Sequence, residues 1–238
     1  MYSIKKLFIV FLLFLLFLPY FICNVYAYEN DLKKNIDIHS DQKSDWGFGL
    51  DIGSGFGKFD SGLNDYFKSE NNGFFVLGVN VAFKKYSLIL GMDIGEKYKP
   101  KTSFTAMSYY WDTTMDLEIQ TFHLSIGYTA LDRSLIKIVP FIGLNYMHIS
   151  EITTEEKFYN GDYAVLGPET GYLLGVNFFF KITEKITGMT FINEYSYLYV
   201  RFTSGYILPN LDKEDDRFDG GMLYFNLAFG AFGHPVKT

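Results

Sequence analysis

Cysteine is almost missing from this sequence: there is one, Cys23, and it falls in the leader. Without thiols an exported chain has no disulfides and stands on hydrogen bonding and packing alone. Arginine is nearly as scarce, with only Arg133, Arg201 and Arg217. That scarcity and a net charge of −6 speak against nucleic acid, whose phosphates require clustered Lys and Arg. The four histidines, His39, His123, His148 and His234, make no Cys/His cluster, so zinc is not expected, nor any other metal or cofactor. The acidic run Asp212–Asp219 lacks the spacing of a calcium loop and reads as a solvated loop. No apolar run after residue 23 is long enough for a membrane helix.

Aromatic residues are abundant instead: 25 Phe and 19 Tyr, with 22 Gly and only 20% charged residues. Aromatic girdles and an apolar outer band consume such residues in a membrane barrel. The N-terminus reads as an export signal over residues 1–27. Lys5 and Lys6 precede an apolar run from Leu7 to Cys23, and Val25-Tyr26-Ala27 offers a cleavage site. The rival readings are an uncleaved anchor and a lipidated Cys23. Cleavage would remove two lysines and leave 19 basic against 27 acidic residues, a net charge of −8. Residues 28–44 read as a polar periplasmic tail, 45–232 as the barrel and 233–238 as a C-terminal tail.

Eight segments alternate with a period of two, the mark of strands whose successive side chains leave on opposite faces. The first sets Trp46, Phe48, Leu50 and Ile52 against Gly47, Gly49, Asp51 and Gly53. The last, Met222 to Phe229, sets Leu223, Phe225, Leu227 and Phe229 against Met222, Tyr224, Asn226 and Ala228. Between them, strands are expected near 74–83, 86–95, 116–130, 135–148, 172–181 and 186–199. The seventh is expected to carry Met189, Phe191, Tyr195, Tyr197 and Tyr199 outward, after a turn at Thr183-Glu184-Lys185. Connections alternate long and short. That pattern, with an even strand count, predicts an all-β fold: a closed, antiparallel, eight-stranded transmembrane barrel with short periplasmic turns, four long outer loops and both termini periplasmic. A hairpin hidden in loop two or four would allow ten strands.

At this point the chain resembles the small outer-membrane barrels of the OmpA-transmembrane and OmpX type. Pro140-Phe141-Ile142-Gly143 resembles their P-[YF]-x-G strand. Asn193-Glu194-Tyr195-Ser196-Tyr197 resembles their E-Y-x-Y strand, and the last strand resembles their closing strand. The family usually ends at its terminal Phe, whereas Gly230 to Thr238 follow Phe229 here. The resemblance implies recognition of the last strand by the barrel-assembly machinery. It also implies contact with outer-membrane lipid or lipopolysaccharide, and surface roles such as adhesion to an extracellular protein ligand.

The inward polar set is expected to be Asp51, Asn80, Asp93, His123, Lys137, Asn145, Asn177, Lys181, Glu194 and Asn226. Eight strands enclose a lumen that side chains fill, so this set reads as a plug of paired groups rather than a narrow pore. An alternative is lipid hydrolysis. His148-Ile149-Ser150 is similar to the H-x-S of lipid A deacylases of the PagL type, with Glu155 as orienting carboxylate. The outer loops carry Tyr66, Phe67, Tyr109, Tyr110, Trp111, Phe158, Tyr159, Tyr163, Phe202, Tyr206 and Phe218. Exposed, they would be contact residues; packed on one another, they would be only loop structure.

Overall fold

A computed structural model describes residues 44–69, 73–106, 108–133, 135–152, 164–189, 192–211 and 216–235. The expected signal segment, residues 1–27, and nearly all of the expected 28–44 tail lie outside them. Eight long strands are labelled in chain order: β1 Trp46–Phe59, β2 Phe74–Phe83, β3 Tyr86–Pro100, β4 Leu117–Tyr128, β5 Ile136–Glu151, β6 Val165–Met189, β7 Ile192–Leu208 and β8 Met222–Pro235. Each pairs antiparallel with its sequence neighbours, and β8 pairs with β1 to close the ring.

Closure is staggered. Registered pairs lead from Phe48 through Val81, Leu88, Ile126, Ile142, Leu174, Tyr206 and Leu223 to Lys58, ten residues further along β1. Such a shear goes with strands tilted about 35–45° to the barrel axis. All residues of that path between its two ends are apolar, so one continuous apolar row winds round the outside.

The outward face is layered along single strands. On β1 the exposed Trp46 and Phe48 precede Leu50 and Ile52, and Phe56 follows. On β4 Tyr128 precedes Ile126 and Leu124, and Phe122 follows. Trp46 to Phe56 spans ten steps of about 3.3 Å, which after tilt is about 25 Å along the axis. That is the height of the apolar band of a membrane barrel.

Strands β6 and β7 depart from expectation. Residues 183–185 do not turn; β6 runs on to Met189, with a bulge between Lys181 and Thr183. Strand β7 is continuous opposite that bulge, and its outward face runs through Leu198, Val200 and Phe202. Tyr197 and Tyr199 point inward and are buried, not outward. Val200–Leu208, expected in the fourth loop, belongs to β7. The last strand also extends to Pro235, beyond residue 232, with Phe232 buried inside. Loop two does hide a hairpin, Phe104–Ala106 with Tyr109–Trp111, but it forms a separate two-stranded sheet.

Candidate functional site: the filled barrel interior

Three layers fill the barrel, and the strands place them by height. At the short-turn end, Phe179, Tyr197, Tyr199 and Phe232 cluster with Ala82 and Val139. Lys137 Nζ lies 5.8 Å from the Phe179 ring centre and 5.2 Å from that of Phe232. Aromatic faces attract a desolvated cation, which suits an ammonium buried this deeply. Lys181 Nζ lies 2.8 Å from Asp132 Oδ1 and 5.2 Å from the Tyr197 ring centre.

The middle layer is polar. Arg201 and Asp51 form an ion pair at 2.8 Å with both side chains buried. The Tyr199 hydroxyl donates to the second oxygen of Asp51 at 2.9 Å. Thr121 donates to Asp93 at 3.2 Å, and His123 Nδ1 stands 3.9 Å from the same Asp93 oxygen. Thr203 donates to Asn177 at 2.6 Å. Glycines beside the bulky members make room for them. A Cβ on Gly78 would come within 2.3 Å of Asp51 Oδ1, and one on Gly91 within 2.0 Å of His123 Nε2.

Of the expected inward set, Asp51, Asn80, Asp93, Lys137, Asn145, Asn177 and Asn226 are buried, and the His123 side chain is nearly so. The network joins them only in part: the side-chain amides of Asn80 and Asn145 make no hydrogen bond among the described residues. Lys181 lies lower, at the short-turn rim. Glu194 pairs through its backbone with Pro235, and its side chain lies outside the description. Arg201, Thr203 and Tyr199 are the members that sequence reasoning missed. Taking Leu198, Val200, Phe202, Tyr206 and Leu208 as the outward face, in place of Tyr197 and Tyr199, would have found them.

The loop end is an apolar cap. Phe59, Phe67, Phe104, Trp111 and Phe218 are buried in one cluster with the upper strand ends. Phe104 stacks on Trp111 at 5.9 Å, and Phe67 meets Phe218 at 5.8 Å. Polar ties hold the loops together. A short helix, α1 (Ser61–Tyr66), receives its N-terminal cap from another loop: Gly62 N donates to Asp219 Oδ1 at 3.0 Å. Asp60 accepts from the Tyr206 hydroxyl at 2.5 Å and from Gly221 N at 2.7 Å. Arg217 donates to Thr105 O at 2.7 Å.

Of the two readings of the loop aromatics, packing holds for part of the set and exposure for another part. Phe67, Trp111 and Phe218 are buried, because an apolar cap in water must close on itself. Phe202 and Tyr206 stand on β7, and residues 158, 159 and 163 lie outside the description. Tyr109 and Tyr110 remain exposed on the hairpin. Beside it, Asp112 accepts from Thr114 N at 2.8 Å and Thr114 Oγ1 at 2.7 Å, bonds that hold its carboxyl below the ordinary value.

His148 and Ser150 share the outward face of β5, both half-buried, opposite Gln120 and Glu118 respectively. No hydrogen bond joins them. Glu151 lies on the other face and accepts from Ala164 N at 3.4 Å. Glu155 lies outside the description. A base, nucleophile and orienting acid are thus not brought together among the described residues.

Fold and interior together define a small, closed, eight-stranded β-barrel with a filled lumen. No protein-family model matches the chain, and no curated protein matches it. Among solved structures it is similar to Neisserial surface protein A, at TM-score 0.41 and 12% identity over 82% of this chain and 98% of that one. It is also similar to Ail, the attachment invasion locus protein of Yersinia pestis, in complex with the heparin analogue sucrose octasulfate, at TM-score 0.40 and 11% identity over 80% and 98%. A third similar structure is the outer membrane protein OprG from Pseudomonas aeruginosa, at TM-score 0.38 and 12% identity over 83% and 98%.

Proposed function

We propose that the chain is an integral, non-enzymatic protein of a bacterial outer membrane, with its turns and termini in the periplasm and its capped loops outside. The observation that carries this reading is the band of exposed apolar side chains between aromatic girdles, about 25 Å tall, which lipid would cover. The filled lumen favours a structural or surface role over a pore. The exposed Tyr109–Tyr110 hairpin is the part of the cap best suited to an extracellular protein ligand, since Tyr offers large contact area at low entropy cost. Strand β8 is the segment offered to the assembly machinery.

Electrophoresis of cold and boiled detergent extracts tests the barrel in its membrane. A heat-dependent shift is expected, together with loop cleavage when whole cells are treated with protease. Release of the protein with the soluble periplasm would overturn the reading. Planar-bilayer recordings without unitary steps are expected, and steady conductance would reinstate the narrow pore. An altered lipid A profile that His148→Ala abolishes would reinstate the hydrolase.

A further inference from the structure

A small cavity of ≈ 10 Å³ lies inside the polar layer, lined among others by Ser125, Asn177, Arg201, Thr203, Tyr224 and Asn226. Four lining residues bring polar atoms that have no hydrogen-bond partner among the described residues: Arg201 Nε, Ser125 Oγ, Asn226 Oδ1 and His123 Nδ1. Arg201, Ser125 and Asn226 are at most 4% exposed. Buried polar groups left unpaired are costly, and each one needs an account.

We propose that this cavity binds a single water molecule, which accepts from Arg201 Nε–H, donates to Asn226 Oδ1 and exchanges a hydrogen bond with Ser125 Oγ. The volume decides the ligand. One water requires about 10–15 Å³ and two to four polar partners, and a larger ion or solute would not fit. The donors and acceptors also match: Arg offers only donors, the amide oxygen only acceptance, and a hydroxyl either. Arg201 is thereby tied on two sides, to Asp51 through its terminal nitrogen and to β8 through the water. The water is a structural part of the seal.

The scarcity of arginine supplies the test. Arg133 and Arg217 are exposed, so the Arg133→Lys/Arg217→Lys double variant leaves Arg201 as the sole source of an arginine Nε–H signal. In the refolded, ¹⁵N-labelled barrel in detergent micelles, that signal is expected to give a water cross-peak with the sign of a long-lived bound water. It should not exchange rapidly with bulk solvent. Asn226→Leu, which fills the space, should abolish the cross-peak while the heat-dependent mobility shift remains. Absence of the cross-peak in the double variant would overturn the proposal. Rapid exchange with bulk would also overturn it, because the chamber would then be open. A shift of the signal when chloride is replaced by nitrate would overturn it in favour of an anion.

Discussion

Phe67, Trp111 and Phe218 at the loop end meet other rings, whereas further down the lumen Arg201 and Asp51 meet each other as charges. Both regions are buried, yet their physics differs. The cap stands where water surrounds it and gains from removing apolar surface from that water. The middle layer has an apolar exterior and a polar interior, so burial alone gives it little. It holds through a specific pair and its hydrogen bonds, and those depend on geometry. Loss of one cap ring should loosen the cap, while loss of one charge should strand its partner in a low-dielectric lumen.

The sharpest break in this comparison is Arg201→Leu. Removing one partner of a buried pair costs about 3–5 kcal/mol, whereas replacing both partners by apolar residues is often near neutral. Denaturant unfolding in lipid vesicles should show that loss for Arg201→Leu and a partial recovery for the Asp51→Leu/Arg201→Leu double variant. Equal midpoints for the wild type and the single variant would mean that the pair does not hold the layer.

Trp111→Ala probes the other region. A buried aromatic truncated to Ala costs about 3–5 kcal/mol at its site. Here that cost should fall on the loops and leave the strand ladder intact. Faster protease cleavage between β3 and β4 is expected, with an unchanged heat-dependent mobility shift. A lost shift would show that the cap and the barrel unfold as one unit.

The third break is smaller. Gly91→Ala pushes a methyl group against the ring of His123, and overpacking of this kind costs about 1–3 kcal/mol. His123→Ala should relieve it, so the double variant should be more stable than the sum of the single changes implies. Additive losses in denaturant unfolding would place the clash elsewhere.

The same two regions differ in how far the sequence discloses them. Along 46–52 of β1, 122–128 of β4, 136–146 of β5 and 223–229 of β8 every second residue is apolar, so Asp51, His123, Asn145 and Asn226 could be placed inside from period alone. The β6–β7 hairpin could not be read this way. Thr183-Glu184-Lys185 has turn chemistry, but tertiary pairing carries the strand through it, and the bulge beside Lys181 shifts the pairing register. Arg201, the cation of the central pair, was hidden because Val200–Leu208 was read as loop and Tyr197 and Tyr199 as the outward face of β7. The cap was illegible for another reason. Its rings are contributed by three connections, and only their convergence in space distinguishes a packed cluster from an exposed surface. Sequence period carries no information about such convergence. Neither the helix cap from Asp219 nor the tie from Asp60 has a local signal, since each joins residues more than 140 positions apart.

Tyr206→Phe tests the seam between the two regions with the smallest change. It removes one hydroxyl, whose bond to Asp60 links β7 to the first loop, and leaves the ring in place. Asp60 keeps its bond from Gly221 N, so its carboxylate is not left without a partner. A single hydrogen bond contributes about 1 kcal/mol, somewhat more to a charged acceptor. The barrel should therefore unfold at a nearly unchanged denaturant concentration. Loop cleavage should rise by a factor of about five to ten, the equivalent of 1 kcal/mol in a local opening equilibrium. An unchanged cleavage rate would show that rings alone close the cap. A large loss of barrel stability would show that the tie belongs to the barrel, and the division drawn here between a cap held by burial and a layer held by pairing would have to move below Asp60.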